Sequence, residues 1–287
     1  MSKPNLVEAL LRRDRLVVVV ALTVILVASW AYILSGAGMG MSAFDMTSLS
    51  MALGPSQETP MATGGAMVAM ATPVDWTLDY ALVMVFMWWV MMIAMMLPSA
   101  APMILLHARV DRSAKARAGQ TGGLMPTVAF TIGYLLMWAL FSLLAAGLQW
   151  AFEVAGLLSP MMMNSTSMLL AGIILLFAGV YQLTPIKQAC LKHCRGPIQF
   201  LSQHWRSGAS GAFTMGLHHG AYCLGCCWGL MAILFFGGIM NLYWIIGLAL
   251  IVLIEKLMPL GPWLGRVIGA VLMLAGAGFL LNAAGWV

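Results

Sequence analysis

The chain has 287 residues, 62% of them hydrophobic and 8% charged, with a net charge of +5 and a mean hydropathy of +0.95. Soluble domains carry about 25% charged residues, so this composition excludes a soluble globular enzyme, a disordered tail and a disulfide scaffold. What remains is an all-α, polytopic membrane bundle. Its positive charges cluster between apolar runs, the pattern of a membrane protein and not of a nucleic-acid-binding surface.

A membrane-spanning helix needs about 20 apolar residues. Residues 1–15 form a basic segment with Lys3, Arg12, Arg13 and Arg15. The run Leu16–Leu34 follows; it is longer than a signal-peptide core and lacks a small-x-small cleavage site, so it reads as a retained first span. Residues 35–76 form one long connection rich in Gly, Ser, Thr, Ala and Pro, expected to be flexible. It carries Met39, Met41, Met46, Met51, Met61, Met67 and Met70. Residues 77–287 are read as a six-helix membrane metal-binding domain. Its spans are Leu78–Leu106, interrupted by Pro98 and Pro102, then Leu124–Trp150, Thr166–Leu183, two within Ala212–Leu257, and Val267–Gly285. The apolar stretch 212–257 is about twice one span and must fold back. Its turn is expected near Gly237-Gly238 or Asn241. The count is seven.

With seven spans and a cytoplasmic N-terminus, all 14 Lys and Arg residues fall on one side. The long outer loop and the other outer segments carry Asp45, Glu58, Asp75, Asp79 and Glu153 without a Lys or Arg. The positive-inside rule therefore predicts a cytoplasmic N-terminus and a periplasmic C-terminus.

Three constellations carry chemistry. The first is His218-His219-Gly220-Ala221-Tyr222-Cys223-Leu224-Gly225-Cys226-Cys227 in the fifth span. Met215, His219, Cys223, Cys226 and Cys227 share an arc of about 120° on a helix, whereas His218 points elsewhere. His219 and Cys227 are about 12 Å apart along the axis, so one metal cannot take both ends. A centre built on Cys223 with Cys226 or Cys227 is completed by His219 or by a Met from another helix. Soft thiolates and thioethers select Cu(I), with zinc as the other thiolate client. The bland alternative is that each Cys is a small hydrophobe in the core.

The second is Cys190 and Cys194, spaced i, i+4 and so on one face of a helix, placed at the cytoplasmic end of the fourth span. Lys and Arg nearby are expected to favour their thiolates. The third is the methionine stripe of the second span: Met84, Met87, Met91 and Met95 fall within an arc of about 80°, with Met96 beside them. Thioethers bind Cu(I) without losing a proton; as gap fillers they would pack just as well. Glu255-Lys256 reads as an ion pair with a snorkelling Lys, and His107 and His204 as solvated residues of basic inner loops. No nucleotide-binding loop is present, so no ATP-driven pump is expected.

At Met92-Ile93-Ala94-Met95-Met96-Leu97-Pro98-Ser99-Ala100-Ala101-Pro102-Met103, at Tyr181-Gln182-Leu183-Thr184-Pro185-Ile186-Lys187 with Cys190 and Cys194, at His219-Gly220 with Cys223, Cys226 and Cys227, and at Glu255-Lys256, the chain resembles a bacterial family of predicted metal-binding integral membrane proteins. The resemblance spans about residues 80–285. It implies a membrane copper chaperone that supplies secreted or membrane copper oxidases such as tyrosinases, with such an oxidase or another copper chaperone as client. The expectation is therefore a non-enzymatic protein of a bacterial inner membrane. It binds Cu(I) through His219, Cys223, Cys226 and Cys227, with Cys190, Cys194, Met95 and Met96 as further ligands. The rival reading is a transmembrane thiol–disulfide electron shuttle using Cys223 and Cys226, and a third is haem held by His218 or His219.

Overall fold

The computed structural model describes residues 6–39, 42–47, 75–119, 123–159 and 163–285, with side chains from residue 15 onward. Ten helices follow in order: α1 (Leu6–Leu34), α2 (Leu78–Arg117), α3 (Met125–Val154), α4 (Met168–Leu183), α5 (Pro185–Arg195), α6 (Pro197–His204), α7 (Gly208–Met231), α8 (Leu234–Gly237), α9 (Leu242–Leu257) and α10 (Gly261–Ala283). The described residues contain no strand, only an isolated bridge between Leu158 and Ser165. Most of the Met-rich connection, including Met41, Met51, Met61, Met67 and Met70, lies outside the described residues.

Five helices, α1, α2, α3, α7 and α10, are long and apolar enough to cross a membrane; α4 and α5 add a sixth if that pair, bent by 63°, counts as one span. Length and composition thus show five to six spans of the seven expected. All seven apolar runs are helical, but α4 and α9 have 16 residues each. Sixteen residues rise about 24 Å, short of a hydrocarbon core of about 30 Å. The outward side chains are apolar along α3 (Leu140, Leu144, Leu148) and α10 (Val271, Leu274), an exposure that suits lipid.

α2 is one helix of 40 residues, with Pro98 and Pro102 inside it. The expected interruption does not occur. Each proline removes one backbone donor, yet the helix continues beyond both. The carbonyl of Met96 in the same turn accepts from Ser99 Oγ at 2.8 Å and from Tyr134 Oη at 3.3 Å. Met84, Met87, Met91, Met92, Met95, Met96 and Met103 are all buried, so the methionine stripe faces the bundle interior.

α3 lies against α7, and α4 against α10. Both crossings depend on glycine. A Cβ on Gly216 would collide with the Phe130 carbonyl, and one on Gly276 would lie 2.6 Å from the backbone nitrogen of Leu176. α4 ends at Thr184 because a residue preceding proline is driven out of the helical region: Thr184 has ψ 146°, and its hydroxyl caps α5 by accepting from the Lys187 N–H. The fold-back after α7 occurs where expected. Gly238 has φ +95°, open to glycine at no steric cost, and Asn241 caps α9 through Tyr243 N–H.

Candidate metal centre

α7 carries Cys223, Cys226 and Cys227 inward, all buried. Cys226 Sγ and Cys227 Sγ both donate to the carbonyl of Cys223, at 3.1 Å and 2.8 Å, so one helical turn holds three sulfurs together. Neighbouring helices add two more. α5 places Cys194 Sγ 3.9 Å from Cys226 Sγ. α2 places Met96 Sδ 3.8 Å from Cys227 Sγ. Metal–sulfur bonds of about 2.3 Å set two sulfurs roughly 3.8–4.0 Å apart in a three- or four-coordinate centre, and both pairs have that spacing. The donor set of thiols and a thioether is soft and fits Cu(I). The sulfurs stand in pairs: among the described residues, no three His, Cys, Asp or Glu side chains already converge as a metal site.

Cys223 has different company. Its Sγ accepts from Lys256 Nζ at 2.9 Å and lies 3.2 Å from Tyr134 Oη. Lys256 Nζ also donates to Ser99 Oγ at 3.1 Å. Five helices thus meet at this point: α2 through Met96 and Ser99, α3 through Tyr134, α5 through Cys194, α7 through its three thiols and α9 through Lys256. All five cysteines are free thiols.

The remaining expected residues are placed around this cluster. Cys190 is partly exposed and packs on the bare backbone of Gly225, where a Cβ would sit 2.8 Å from its sulfur. Tyr181 Oη donates to the Gly225 carbonyl, fixing α4 to α7 at the height of Cys226. Met95 is buried but makes no polar contact with a thiol among the described residues. His219 is buried, one turn before Cys223. Its ring sits among Phe130, Tyr134 and Phe200, with centroids 5.4–6.1 Å away. Its Nδ1 has no hydrogen-bond partner, and it bonds to none of the sulfurs.

Three expectations about individual residues are corrected. Glu255 and Lys256 do not pair with each other. Successive residues on a helix diverge by about 100°, and Glu255 turns to Lys187 (2.6 Å) while Lys256 turns to Cys223. Gln182 completes the first group, donating to Glu255 Oε1 at 2.8 Å and accepting from Lys187 Nζ. Two of the cations expected to favour thiolates at Cys190 and Cys194 are engaged elsewhere. Lys187 is bound to Glu255, and Arg195 donates to the Glu255 carbonyl at 2.6 Å and the Pro259 carbonyl at 3.4 Å. His107 is not solvated: it is fully buried, stacked on Phe130 at 4.8 Å with Trp205 at 5.7 Å, because α2 runs on as helix past residue 106 and α6 covers it. His204 is half-buried, stacked on Phe200 at 4.7 Å with Nδ1 on the Phe200 carbonyl.

Tyr134 and Ser99 carry no mark of a site residue in the sequence. A mid-span Tyr gives no signal of its own, and Ser99 lies in a Pro-flanked motif whose site contacts are all long-range. No curated protein and no solved structure matches the chain. A family model does, across residues 85–279, which takes in every helix of the cluster and leaves out α1 and the Met-rich connection after it. By that match over more than half its length, the chain belongs to the PpoB2 copper chaperone family.

Proposed function

We propose that this protein is an integral membrane Cu(I) chaperone that receives and releases its ion by ligand exchange among Cys194, Cys223, Cys226, Cys227 and Met96. The observation that carries the reading is that α2, α5 and α7 bring these five sulfurs into one region, with the pairs Cys194–Cys226 and Cys227–Met96 at spacings a soft metal spans. Family membership supports the copper part and a non-enzymatic role. Cys190 and Cys194 are the partly exposed thiols and form the mouth of the cluster. His219 stands as a reserve ligand one turn along α7. Similar soft donors at successive positions lower the barrier to exchange, because each new bond forms as an equivalent one breaks.

The positive-inside distribution supports seven spans in a bacterial inner membrane, with α4–α5 as a bent span and α9 as a short one. The N-terminus is then cytoplasmic, and the thiol mouth faces the cytoplasm. The client is a copper-requiring enzyme or another copper carrier outside.

The test is anaerobic Cu(I) loading of the detergent-purified protein against a competing chelator. The wild type is expected to retain about one copper or more per chain, as its soft donor set predicts, and the Cys223→Ser/Cys226→Ser/Cys227→Ser variant to lose it. Equal retention by both proteins would remove the cluster as the site. No retention, together with thiols that cycle reversibly with a redox partner, would favour the electron shuttle.

A further inference from the structure

Lys256 is an unusual neighbour for a soft-metal site. It is buried, and a buried ammonium needs an anion to compensate it. No carboxylate among the described residues pairs with it: Asp111 is bound to Lys115 and Glu255 to Lys187. What Lys256 does touch is Ser99 Oγ, a neutral group, and Cys223 Sγ. The anion available to it is a cysteine thiolate of the cluster.

Its position is also enforced. Glu255, the preceding residue, is held by Lys187 and Gln182 on one side of α9. Arg195 holds the Glu255 carbonyl at the end of the same helix. With α9 anchored in this rotation, residue 256 is turned toward α7. A Lys there is a fixed positive charge built into the wall of the sulfur cluster.

We propose that Lys256 is a specificity-determining residue that makes the cluster select monovalent over divalent soft cations. This selectivity rests on the proposed Cu(I) reading of the site and gives that reading its physical basis. Metal binding requires deprotonated thiols. Two thiolates, one ammonium and one monovalent ion are neutral together, and Met96 joins them without charge. A divalent ion held by the same two thiolates leaves one net positive charge in a low-dielectric interior, where unbalanced charge is strongly unfavourable, and neutrality then requires a third buried thiol to lose its proton. Softness alone does not separate Cu(I) from Zn(II) at thiolates; charge balance does. Removing the ammonium reverses the preference, because two thiolates and a divalent ion are then the neutral set.

The experiment uses the full-length protein in detergent under anaerobic conditions. Cu(I) and Zn(II) affinities are measured separately by chelator competition for wild type, Lys256→Met and Lys256→Arg. Lys256→Met is expected to lower the ratio of Cu(I) to Zn(II) affinity by about 100-fold or more, the scale of one buried charge, while Lys256→Arg keeps the ratio within about tenfold. An unchanged ratio in Lys256→Met overturns the inference, including the case in which both affinities fall together because the residue is merely structural. A wild type that holds neither ion overturns the copper reading instead. Should the variants fail to fold, the wild type decides with two soft probes of different charge. Ag(I) is expected to bind and Cd(II) to be rejected, and equal binding overturns the inference.

Discussion

The two ends of the α2 methionine stripe use the same atom type in opposite ways. Near the N-terminus of α2, Met84 Sδ accepts from Gln149 Nε2 at 3.6 Å. Gln149 is buried, accepts from Trp88 Nε1 at 2.9 Å and donates to Glu153 Oε1 at 2.8 Å, while Trp76 Nε1 holds the other Glu153 oxygen at 2.8 Å. This is a closed hydrogen-bond network in which the thioether is a terminal acceptor. Twelve residues or about 18 Å further along the helix, Met96 meets a thiol, and the groups around it are further thiols with Tyr134, Ser99 and Lys256. A row of methionines is therefore not a uniform conduit. Its chemistry is set by what the other helices bring to each level, and thiols are brought to the Met96 level while the Met84 level holds an amide, an indole and a carboxyl.

The contrast between the two levels is most severely disturbed through Glu255. Glu255→Leu leaves Lys187 buried without a counter-charge, and thermal unfolding in detergent is expected to show a loss of about 3–5 kcal/mol. A loss well under that would mean that Lys187 reaches water when its partner is removed. At the Met84 level, Gln149→Leu orphans the Trp88 indole and one Glu153 oxygen. The expected cost is about 1–3 kcal/mol of stability with Cu(I) affinity unchanged; a parallel fall in affinity would show that the two ends are coupled. The finest distinction is between two conservative changes. Met96→Leu and Met84→Leu are both volume-conserving and should each cost less than about 1.5 kcal/mol of stability. Chelator competition is expected to show Cu(I) affinity falling about tenfold for Met96→Leu, as for loss of one soft ligand, and unaltered for Met84→Leu.

Helical periodicity within one segment is legible in the amino-acid sequence. The inward face of α7, the shared face of Cys190 and Cys194, the buried methionines and the turn at Gly238 and Asn241 all follow from local spacing, and the family follows from motifs in the matched segment. Partnerships between helices are not legible there. Nothing near residue 256 in the chain indicates that Cys223 is its neighbour, and the acid beside it offers a nearer partner that the helix rotation withholds. The span count is only partly legible for a related reason. Hydropathy marks α4 and α9 as apolar, but Thr184 before Pro185 ends α4 and Met258 before Pro259 ends α9 after 16 residues each. The burial of His107 is hidden from composition because α2 continues as helix where its residues turn polar.

The prolines of α2 bear on mechanics. Pro98 and Pro102 lie within the two turns that carry Met96 and Ser99, and each deletes one rung of the helical ladder by leaving the carbonyl four residues earlier without its helical donor. Bending stiffness of α2 is therefore lowest beside the sulfur cluster and high near Met84. A flexural fluctuation of the rod concentrates at that joint. Bending there changes the distance from Met96 to Cys227 and from Ser99 to Lys256.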